Sequence, residues 1–295
     1  MNLFDGKIIF LANMETNKKK IWLITGVSGG LGRTLAMAAA QTGAIVYGTL
    51  RKSEQLSSFE ALVPGNTRAL LVDVTNSESI EASIEQIMEE NGSIDVLVNN
   101  AGFGLIGGIE EVTAQEVRSQ IETNFFGALS LTQKVLPIMR KQQSGWILQI
   151  SSSAGFRSAA GFGIYNASKF ALEGMSEALA LEMKPLGVNV VIIEPGPFRT
   201  NFAGSSAVFS ATSIDAYDST VGQFKSIMKE KSGTQDGDPD KAAAVILELI
   251  KSQNPPVRLP LGKFSIAAIR NKLVEVEMDV QSWEHLTAHT SYDAE

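Results

Sequence analysis

The sequence lacks cysteine altogether and has only two histidines. Without cysteine the protein has no disulfides, no thiolate metal sites and no cysteine nucleophile, and the composition fits a reducing compartment, so we expect a cytoplasmic location. His285 and His289 are four residues apart, so on a helix both could bind one metal ion, but no cluster of further ligands lies near them in the sequence. We therefore expect no metal site.

Positive charge and long apolar runs are also scarce. The 25 lysines and arginines are outnumbered by 32 aspartates and glutamates, which argues against a nucleic-acid partner. No run reaches the roughly 20 apolar residues that a membrane-spanning helix needs, so no such span is expected. The 295 residues, 44% of them hydrophobic, suffice for a single domain with a large core.

Short apolar runs alternate with helical patterns along the chain. Continuous apolar runs are typical of strands buried on both faces, and their alternation with helices predicts βαβ units. The expected strands are residues 21–25, 44–50, 69–72, 96–99, 146–150, 188–194 and 255–261. The expected helices are residues 31–42, 77–90, 114–140, 163–186, 239–252 and 265–280. The sequence thus predicts an α/β fold, a single-domain Rossmann fold with a doubly wound parallel sheet of about seven strands and helices on both faces.

The ends of the chain differ from this pattern. We expect residues 1–20 to be a disordered extension and residues 21–280 to form the domain. Residues 203–237 are rich in serine, threonine and aspartate, which predicts a mobile flap over the substrate with a helix around residues 218–230. The pattern of the C-terminal tail, residues 281–295, indicates no role.

A glycine-rich segment, TGVSGGLG, follows the first expected strand. Gly26, Gly30 and Gly32 allow a tight turn and close approach to a pyrophosphate, and the next helix directs its N-terminus at the negative charge. The spacing is GxxxGxG, whereas the commonest dinucleotide fingerprint is GxGxxG. The strand–turn–helix context nevertheless predicts a phosphate-binding turn.

Two other enzyme classes use similar turns. Residues 26–30 also match the GxSxG turn of α/β-hydrolases, which follows several strands and needs an acid and then a histidine later in the chain. Here the turn follows the first strand and the histidines lie in the tail, so hydrolysis is excluded. A nucleoside-triphosphatase turn would end in GK[ST], which this segment does not contain.

Basic residues end the second expected strand. An acid there would bind an unmodified ribose, whereas Arg51 and Lys52 can bind a 2′-phosphate, and Arg33 adds a further positive charge. Alternatively, these are solvated loop charges. We expect NADP(H) in preference to NAD(H).

Ser152, Tyr165 and Lys169 have the spacing of a proton-donating site. Tyr165 and Lys169 are four residues apart, so on a helix they share a face and the ammonium can lie beside the phenol. An adjacent cation favours phenolate and lowers the pKa of tyrosine from its usual value of about 10. Ser152 would hold the substrate oxygen. YxxxK alone also occurs by chance on amphipathic helices.

Together these features resemble the short-chain dehydrogenase/reductase family, in its shorter branch with the TGxxxGxG turn and the YxxxK pair. The resemblance covers about residues 21–202 and includes the NNAG segment at residues 99–102 and the PGPFRT segment at residues 195–200. It implies the catalytic residues Asn124, Ser152, Tyr165 and Lys169, with Asn124 in a water-linked proton relay. Asn124 could instead be an ordinary hydrogen-bonding residue of a helix.

The resemblance also implies a set of cofactor-binding residues. They are Gly26, Ser28, Gly29, Gly30, Leu31, Gly32, Arg51, Asp73, Val74, Asn100, Ala101, Gly102, Tyr165, Lys169, Pro195, Gly196, Phe198 and Thr200. Asp73 and Asn100 would lie around the adenine and the central sheet, and Pro195, Gly196 and Thr200 in the nicotinamide pocket. Asp73 could also be a turn residue, and Pro195 and Gly196 a strand stop.

The family implies interconversion of a carbonyl and a secondary alcohol, and the strand VYGTLR and the turn EPGPFRT are similar to those of hydroxysteroid- and retinol-dehydrogenase-like members. We expect an apolar small-molecule substrate, bordered by Phe103, Leu105, Ile106, Phe156, Phe162, Phe198, Phe202, Val208 and Phe209. The alternatives are a carrier-bound 3-oxoacyl reductase, for which a basic docking patch is missing, and a non-catalytic NADP sensor. The resemblance further implies a homodimer or homotetramer built through residues 114–140 and 163–186.

Overall fold

A computed structural model of the chain describes residues 19–204 and 206–292. The expected N-terminal extension lies outside these residues, apart from Lys19 and Lys20. No helix of the described ranges is long and apolar enough to cross a membrane.

A seven-stranded parallel sheet forms the centre of the molecule, in the order β3-β2-β1-β4-β6-β7-β9. Its strands are β1 (Ile21–Ile24), β2 (Ile45–Leu50), β3 (Thr67–Leu71), β4 (Val96–Asn99), β6 (Gly145–Ile150), β7 (Val188–Pro195) and β9 (Arg258–Leu261). A second, two-stranded parallel sheet pairs β5 (Gly104–Ile106) with β8 (Ala207–Phe209). The predicted doubly wound sheet is confirmed, but the second sheet was not foreseen.

Helices pack on both faces of the large sheet, as the sequence predicts. The helices of the described residues are α1 (Gly30–Gln41), α2 (Leu56–Glu60), α3 (Ser77–Asn91), α4 (Ala114–Ile121), α5 (Gly127–Gln142), α6 (Gly163–Met183), α7 (Gln223–Glu230), α8 (Pro239–Leu249) and α9 (Lys263–Thr287). Side chains of β1 alternate between the faces: Trp22 and Ile24 pack in the cluster with α1 and α8, and Ile21 and Leu23 in the cluster with α3, α5 and α6. Both faces of the large sheet are therefore buried from water, and this explains why its strands are apolar throughout.

The predicted helix over residues 114–140 is interrupted. Residues Glu122–Phe126 form a π-helical turn between α4 and α5. An inserted turn of this kind rotates the following residues relative to the preceding helix, and such turns often lie at functional sites. The apolar pattern of the segment did not reveal the interruption.

α9 extends further than the sequence predicts. It runs to Thr287 and therefore includes part of the segment that we expected to be a tail. Only Ser265 and Ala268 are buried in it, and an apolar stripe in its C-terminal half is exposed, formed by Leu273, Val276, Val280 and Trp283.

Candidate active site

The glycine-rich turn after β1 lies against the end of β4. Gly26 and Gly30 have φ values of 69° and 57°, in the left-handed region that favours glycine. A Cβ on Gly26 would lie 2.9 Å from Ala101 Cα, and a Cβ on Gly32 would overlap the side-chain amide of Asn100. The turn therefore requires glycine for its conformation and for its close packing.

Asn100 holds this turn in place from the end of β4. Its Nδ2 donates hydrogen bonds to the carbonyl oxygens of Thr25 (2.8 Å) and Gly26 (3.0 Å). Thr25 Oγ1 in turn accepts from the backbone N–H groups of Asn100 (2.9 Å) and Ala101 (2.8 Å). Thr49 Oγ1 accepts from the Gly26 N–H at 3.0 Å. Sequence reasoning missed Thr25 and Thr49, although polar residues near the ends of apolar strands are a signal for such anchoring.

The turn exposes the features that bind a pyrophosphate. α1 begins at Gly30, and no side chain caps its N-terminus at Gly29, so the first N–H groups of the helix are available to an anion. Thr200, in the loop after β7, lies beside Gly30, because a Cβ added to Gly30 would be 3.3 Å from the Cβ of Thr200. The residues present thus fit a dinucleotide, held between the loops after β1 and β7.

Charged residues flank the ends of β2 and β3. Arg33 Nη2 donates to the Ser58 carbonyl at 3.2 Å, and Arg51 is exposed. Desolvation raises the pKa of Asp73, but hydrogen bonds from Thr75 and the charge of Arg51 outweigh it, so the pKa lies below its ordinary value. Val74 is buried beside Asp73 and contacts α5 at Gly127.

Tyr165 lies in the first turn of α6, and only 3% of it is exposed. Its ring stacks on Phe162 with the centroids 4.2 Å apart, and the Phe202 ring lies 5.5 Å away. Phe224 of α7 packs against Phe162 at 5.3 Å. An aromatic cluster therefore encloses the phenol.

Lys169 lies one helical turn beyond Tyr165 and is also buried. Its Nζ lies 5.8 Å from the centroid of the Tyr165 ring and donates a 2.7 Å hydrogen bond to the Ile150 carbonyl at the end of β6. Ser152 follows β6 at the start of a short 3₁₀ turn, and its Oγ accepts from the Ala154 N–H at 3.1 Å.

Burial controls the pKa values of the two buried groups. It raises the pKa of Tyr165 above its ordinary value of 10.0, and the Ser152 hydroxyl offsets only part of the rise. Burial also lowers the pKa of Lys169 to about 8, against the opposing charge of Glu173. The net pKa of Tyr165 lies above its ordinary value because desolvation of the phenol outweighs the Ser152 hydrogen bond, and the lowering by Lys169 that the sequence predicts stays a prediction. Tyr165 is therefore a protonated phenol at neutral pH, the form that donates a proton.

Asn124 is directed into the protein by the π-helical turn. Its Oδ1 accepts from the Phe103 N–H at 3.1 Å, and its Nδ2 donates to the Phe103 carbonyl at 2.9 Å and to Ser168 Oγ at 3.2 Å. Ser168 is the residue before Lys169, so Asn124 contacts α6 next to the buried lysine. The structure thus brings the four predicted catalytic residues to one end of the sheet.

The predicted apolar border is only partly assembled around Tyr165. Ile106, Phe162, Phe202 and Phe209 belong to the same cluster as Tyr165, joined by residues that we did not predict, among them Phe224 and Met228 of α7. Of the other five, Phe103 and Leu105 are not part of this cluster and Val208 is exposed. Phe156 packs under the Arg258 guanidinium, and Phe198 packs against Gly237 and the cluster on the α1 and α8 face of the sheet. Phenylalanine spacing in the sequence does not distinguish core from pocket.

The sheet order, the glycine-rich turn and the Tyr165–Lys169 pair together match a known protein family. The model of the family described as short chain dehydrogenase matches residues 20–208. The chain is a short-chain dehydrogenase/reductase. As such it is a nucleotide-binding oxidoreductase with a Rossmann fold.

Similar members of the short-chain dehydrogenase/reductase family cover most of the chain. A 3-ketodihydrosphingosine reductase from Bacteroides thetaiotaomicron is 43% identical over 247 residues, which are 82% of this chain and 88% of that protein. Retinol dehydrogenase 8 of Homo sapiens is 33% identical over 253 residues, 80% of this chain and 79% of that protein. A short-chain dehydrogenase crystal structure from Streptomyces avermitilis matches with a TM-score of 0.88 and 40% identity, over 94% of this chain and 100% of that chain.

Proposed function

We propose that this short-chain dehydrogenase/reductase interconverts a carbonyl and a secondary alcohol on an apolar small molecule, with NADP(H) as its cofactor. The observation that carries the proposal is Tyr165, a buried and protonated phenol one helical turn from a buried lysine and close to the Ser152 hydroxyl. A protein that only senses a dinucleotide has no use for such a proton donor.

Each catalytic side chain has its own role in reduction. Tyr165 donates its proton to the carbonyl oxygen as negative charge develops there, and the Ser152 hydroxyl donates a hydrogen bond to the same oxygen. Lys169 is charged below pH about 8 and stabilises the phenolate that remains. The hydride for the carbonyl carbon is supplied by NADPH when it is bound. Oxidation of the alcohol uses the same groups in reverse.

The preference for NADP(H) is supported by the charges beside the glycine-rich turn. Arg51 stands at the end of β2, where an acid would select an unmodified ribose, and Lys52 follows it. Arg33, held at the Ser58 carbonyl, adds a third positive charge. Guanidinium groups bind phosphate in two parallel hydrogen bonds, which suits a 2′-phosphate.

An apolar substrate is supported by the cluster that encloses Tyr165. Its members include Ile106, Phe162, Phe202 and Phe224, which offer the reacting groups an apolar surface. The similar proteins are named for 3-ketodihydrosphingosine and retinol, both apolar molecules. We therefore propose a substrate with a long apolar part next to the reacting carbon.

Substrate entry requires the aromatic cover to move, since Tyr165 is only 3% exposed. We propose that residues 203–237 form a flap that opens for entry and is held shut by Glu111. The Glu111 carboxylate accepts from Lys225 Nζ (2.7 Å) and from the N–H groups of Gly108 (2.9 Å) and Ile214 (2.9 Å). Although burial alone would raise it, these partners hold the pKa of Glu111 at about 2.

A homodimer or homotetramer through α4, α5 and α6 is part of the proposal. Phe126, Phe170 and Leu181 in this region are exposed, as large apolar side chains at a subunit interface would be in one isolated chain. Light scattering measures the molar mass in solution, and a monomer at micromolar concentration would contradict this part.

The function is tested by following NADPH and NADH consumption with apolar ketones, steroids, retinal, long-chain 3-keto compounds and carrier-bound acyl thioesters. Tyr165→Phe keeps the aromatic stack and removes the proton donor, so we expect kcat to fall roughly 10²- to 10⁴-fold with NADPH affinity retained. Tyr292→Phe is the matched control, because that phenol is fully exposed near the end of the chain.

Three outcomes would contradict the proposal. Preference for the carrier-bound thioester would support the 3-oxoacyl reductase instead. NADPH binding without turnover of any compound would support the sensor. Turnover that survives in Tyr165→Phe would refute the mechanism.

A further inference from the structure

A cluster of charged side chains lies behind the active site, on the face of α6 that carries the catalytic pair. Tyr165, Lys169, Glu173 and Glu177 are each four residues apart and so share this face. Glu173 is 2% exposed, and Glu194 at the end of β7 is fully buried. Buried carboxylates are costly unless they are paired and hydrogen-bonded, so this arrangement needs a reason.

Arg258 of β9 is the cation of the cluster. Its Nη1 pairs with the Glu173 carboxylate and lies 3.2 Å from Glu194 Oε1, and its Nη2 lies 2.9 Å from Glu177 Oε1. The guanidinium stacks on the Phe156 ring with Cζ 5.4 Å from the centroid. One guanidinium thus faces two buried carboxylates and one exposed carboxylate.

Glu173 and Glu194 both face the Nη1 group of Arg258. Burial raises the pKa of both carboxyls, and the charge of Glu173 raises that of Glu194 further, whereas Arg258 lowers both. The Ser151 hydroxyl also lowers the pKa of Glu173, so the contacts of the cluster favour the negative charge on Glu173.

Glu173 also contacts the elements that hold the catalytic groups. Its Oε1 accepts from Ser151 Oγ at 2.6 Å, and the neighbouring residue, Ile150, is the one that binds Lys169 Nζ. Gly155, in the turn that follows Ser152, packs so tightly on Glu173 that a Cβ at this glycine would overlap the carboxylate. The charge of Glu173 acts on Lys169 as well.

We propose that Glu173 is a positioning residue of the active site: its carboxylate fixes the end of β6 through Ser151 and stabilises the Lys169 ammonium one helical turn before it. The groups that face Glu173 are Ser151 after β6, Glu194 of β7, Arg258 of β9, and Lys169 and Glu177 of α6. The catalytic consequence rests on the proposed function, but the protonation of Lys169 does not.

The experiment therefore titrates Lys169 directly in the full chain without cofactor. NMR of protein labelled with [6-¹³C]lysine follows the Lys169 signal against pH, and Lys169→Met identifies that signal. Glu173→Gln keeps the side-chain shape and removes the charge, so we expect the Lys169 titration to move about one unit to lower pH. Glu194→Gln leaves Arg258 paired with Glu173 and should move the titration much less. Glu177→Gln, on the same arginine but exposed, is the control and leaves it unchanged.

A shift to lower pH in Glu173→Gln that Glu194→Gln and Glu177→Gln do not share is what a purely structural role cannot produce. Equal shifts in Glu173→Gln and Glu194→Gln, or none in folded Glu173→Gln, would overturn the proposal. If Glu173→Gln does not fold, Glu173→Asp decides: its carboxylate is one methylene shorter and farther from Lys169, so the titration must move to lower pH, and an unchanged titration would overturn the proposal. Where a substrate is found, the basic limb of kcat against pH moves with the NMR titration. Failure of turnover with the expected shifts would instead refute only the proposed function.

Discussion

Replacement of Gly32 by alanine tests how the glycine-rich turn is built. Gly32 is the third residue of α1, and a Cβ there would overlap Asn100 Nδ2 and lie 2.9 Å from the Gly26 carbonyl. The Asn100 amide must therefore move away from the two carbonyl oxygens that it binds, those of Thr25 and Gly26. The change thus disturbs the phosphate-binding turn without touching the catalytic residues.

The expected magnitude follows from these contacts. Two lost hydrogen bonds cost about 1 kcal/mol each, and the overlap adds about 1–3 kcal/mol of strain. Alanine recovers about 1 kcal/mol because it is the better helix former. We expect the free energy of unfolding to fall by about 2–4 kcal/mol, which lowers Tm by roughly 5–15 °C.

Thermal unfolding and a fluorescence titration with NADPH measure the two effects. Glu85→Ala is the control, because Glu85 lies on the exposed face of α3, a helix outside both the turn and the proposed interface helices α4, α5 and α6. It should change the free energy of unfolding by less than about 0.5 kcal/mol and leave NADPH binding unchanged. A Gly32→Ala protein as stable and as tightly bound to NADPH as the unaltered protein would refute the packing argument.

Three more predictions concern charge. Arg51→Ala should weaken NADPH binding roughly 10- to 100-fold and leave NADH binding unaffected, because a charge-assisted phosphate contact contributes about 1.5–3 kcal/mol. Equal effects on the binding of both cofactors, or weaker NADPH binding in the remote control Lys134→Ala, would contradict this prediction. Glu111→Gln should speed limited proteolysis within residues 203–237 several-fold, whereas Glu89→Gln, on the exposed face of α3, should not. Because the pKa of Glu111 is lowered to about 2, the latch is complete above pH 4.5 and is lost as pH falls towards 2. Lys169 loses its charge above pH about 8, so kcat for reduction should decline there, and a profile flat to pH 10 would contradict its role.

The large sheet was predictable because its strands are buried on both faces. Such strands are apolar throughout, as the run Ile21–Ile24 shows, and runs of this kind stand out from the amphipathic helices between them. β5 and β8 were missed because three residues each are too few for a pattern. The π-helical turn was missed because it covers only five residues, too few for its shift of the apolar pattern to be recognised in the sequence.

The candidate site was predictable where chemistry depends on spacing along the chain. Tyr165 and Lys169 are one helical turn apart, and that turn is visible in the sequence. The direction of the Tyr165 pKa was not, because it depends on burial by Phe162, Phe202 and Phe224, which come from distant segments. The cluster around Glu173 could not be predicted for the same reason, since its cation, Arg258, lies 85 residues after Glu173 in the sequence.

Deuterium transfer tests the central claim most directly. Purified protein is given NADPH that carries deuterium at the transferable position of the nicotinamide, together with an apolar ketone, and the alcohol is examined by mass spectrometry. We predict one deuterium on the former carbonyl carbon, and alcohol formation roughly 10²- to 10⁴-fold slower in Tyr165→Phe that still binds NADPH. An alcohol without deuterium, or labelled alcohol formed by Tyr165→Phe at the rate of the unaltered protein, would contradict the account.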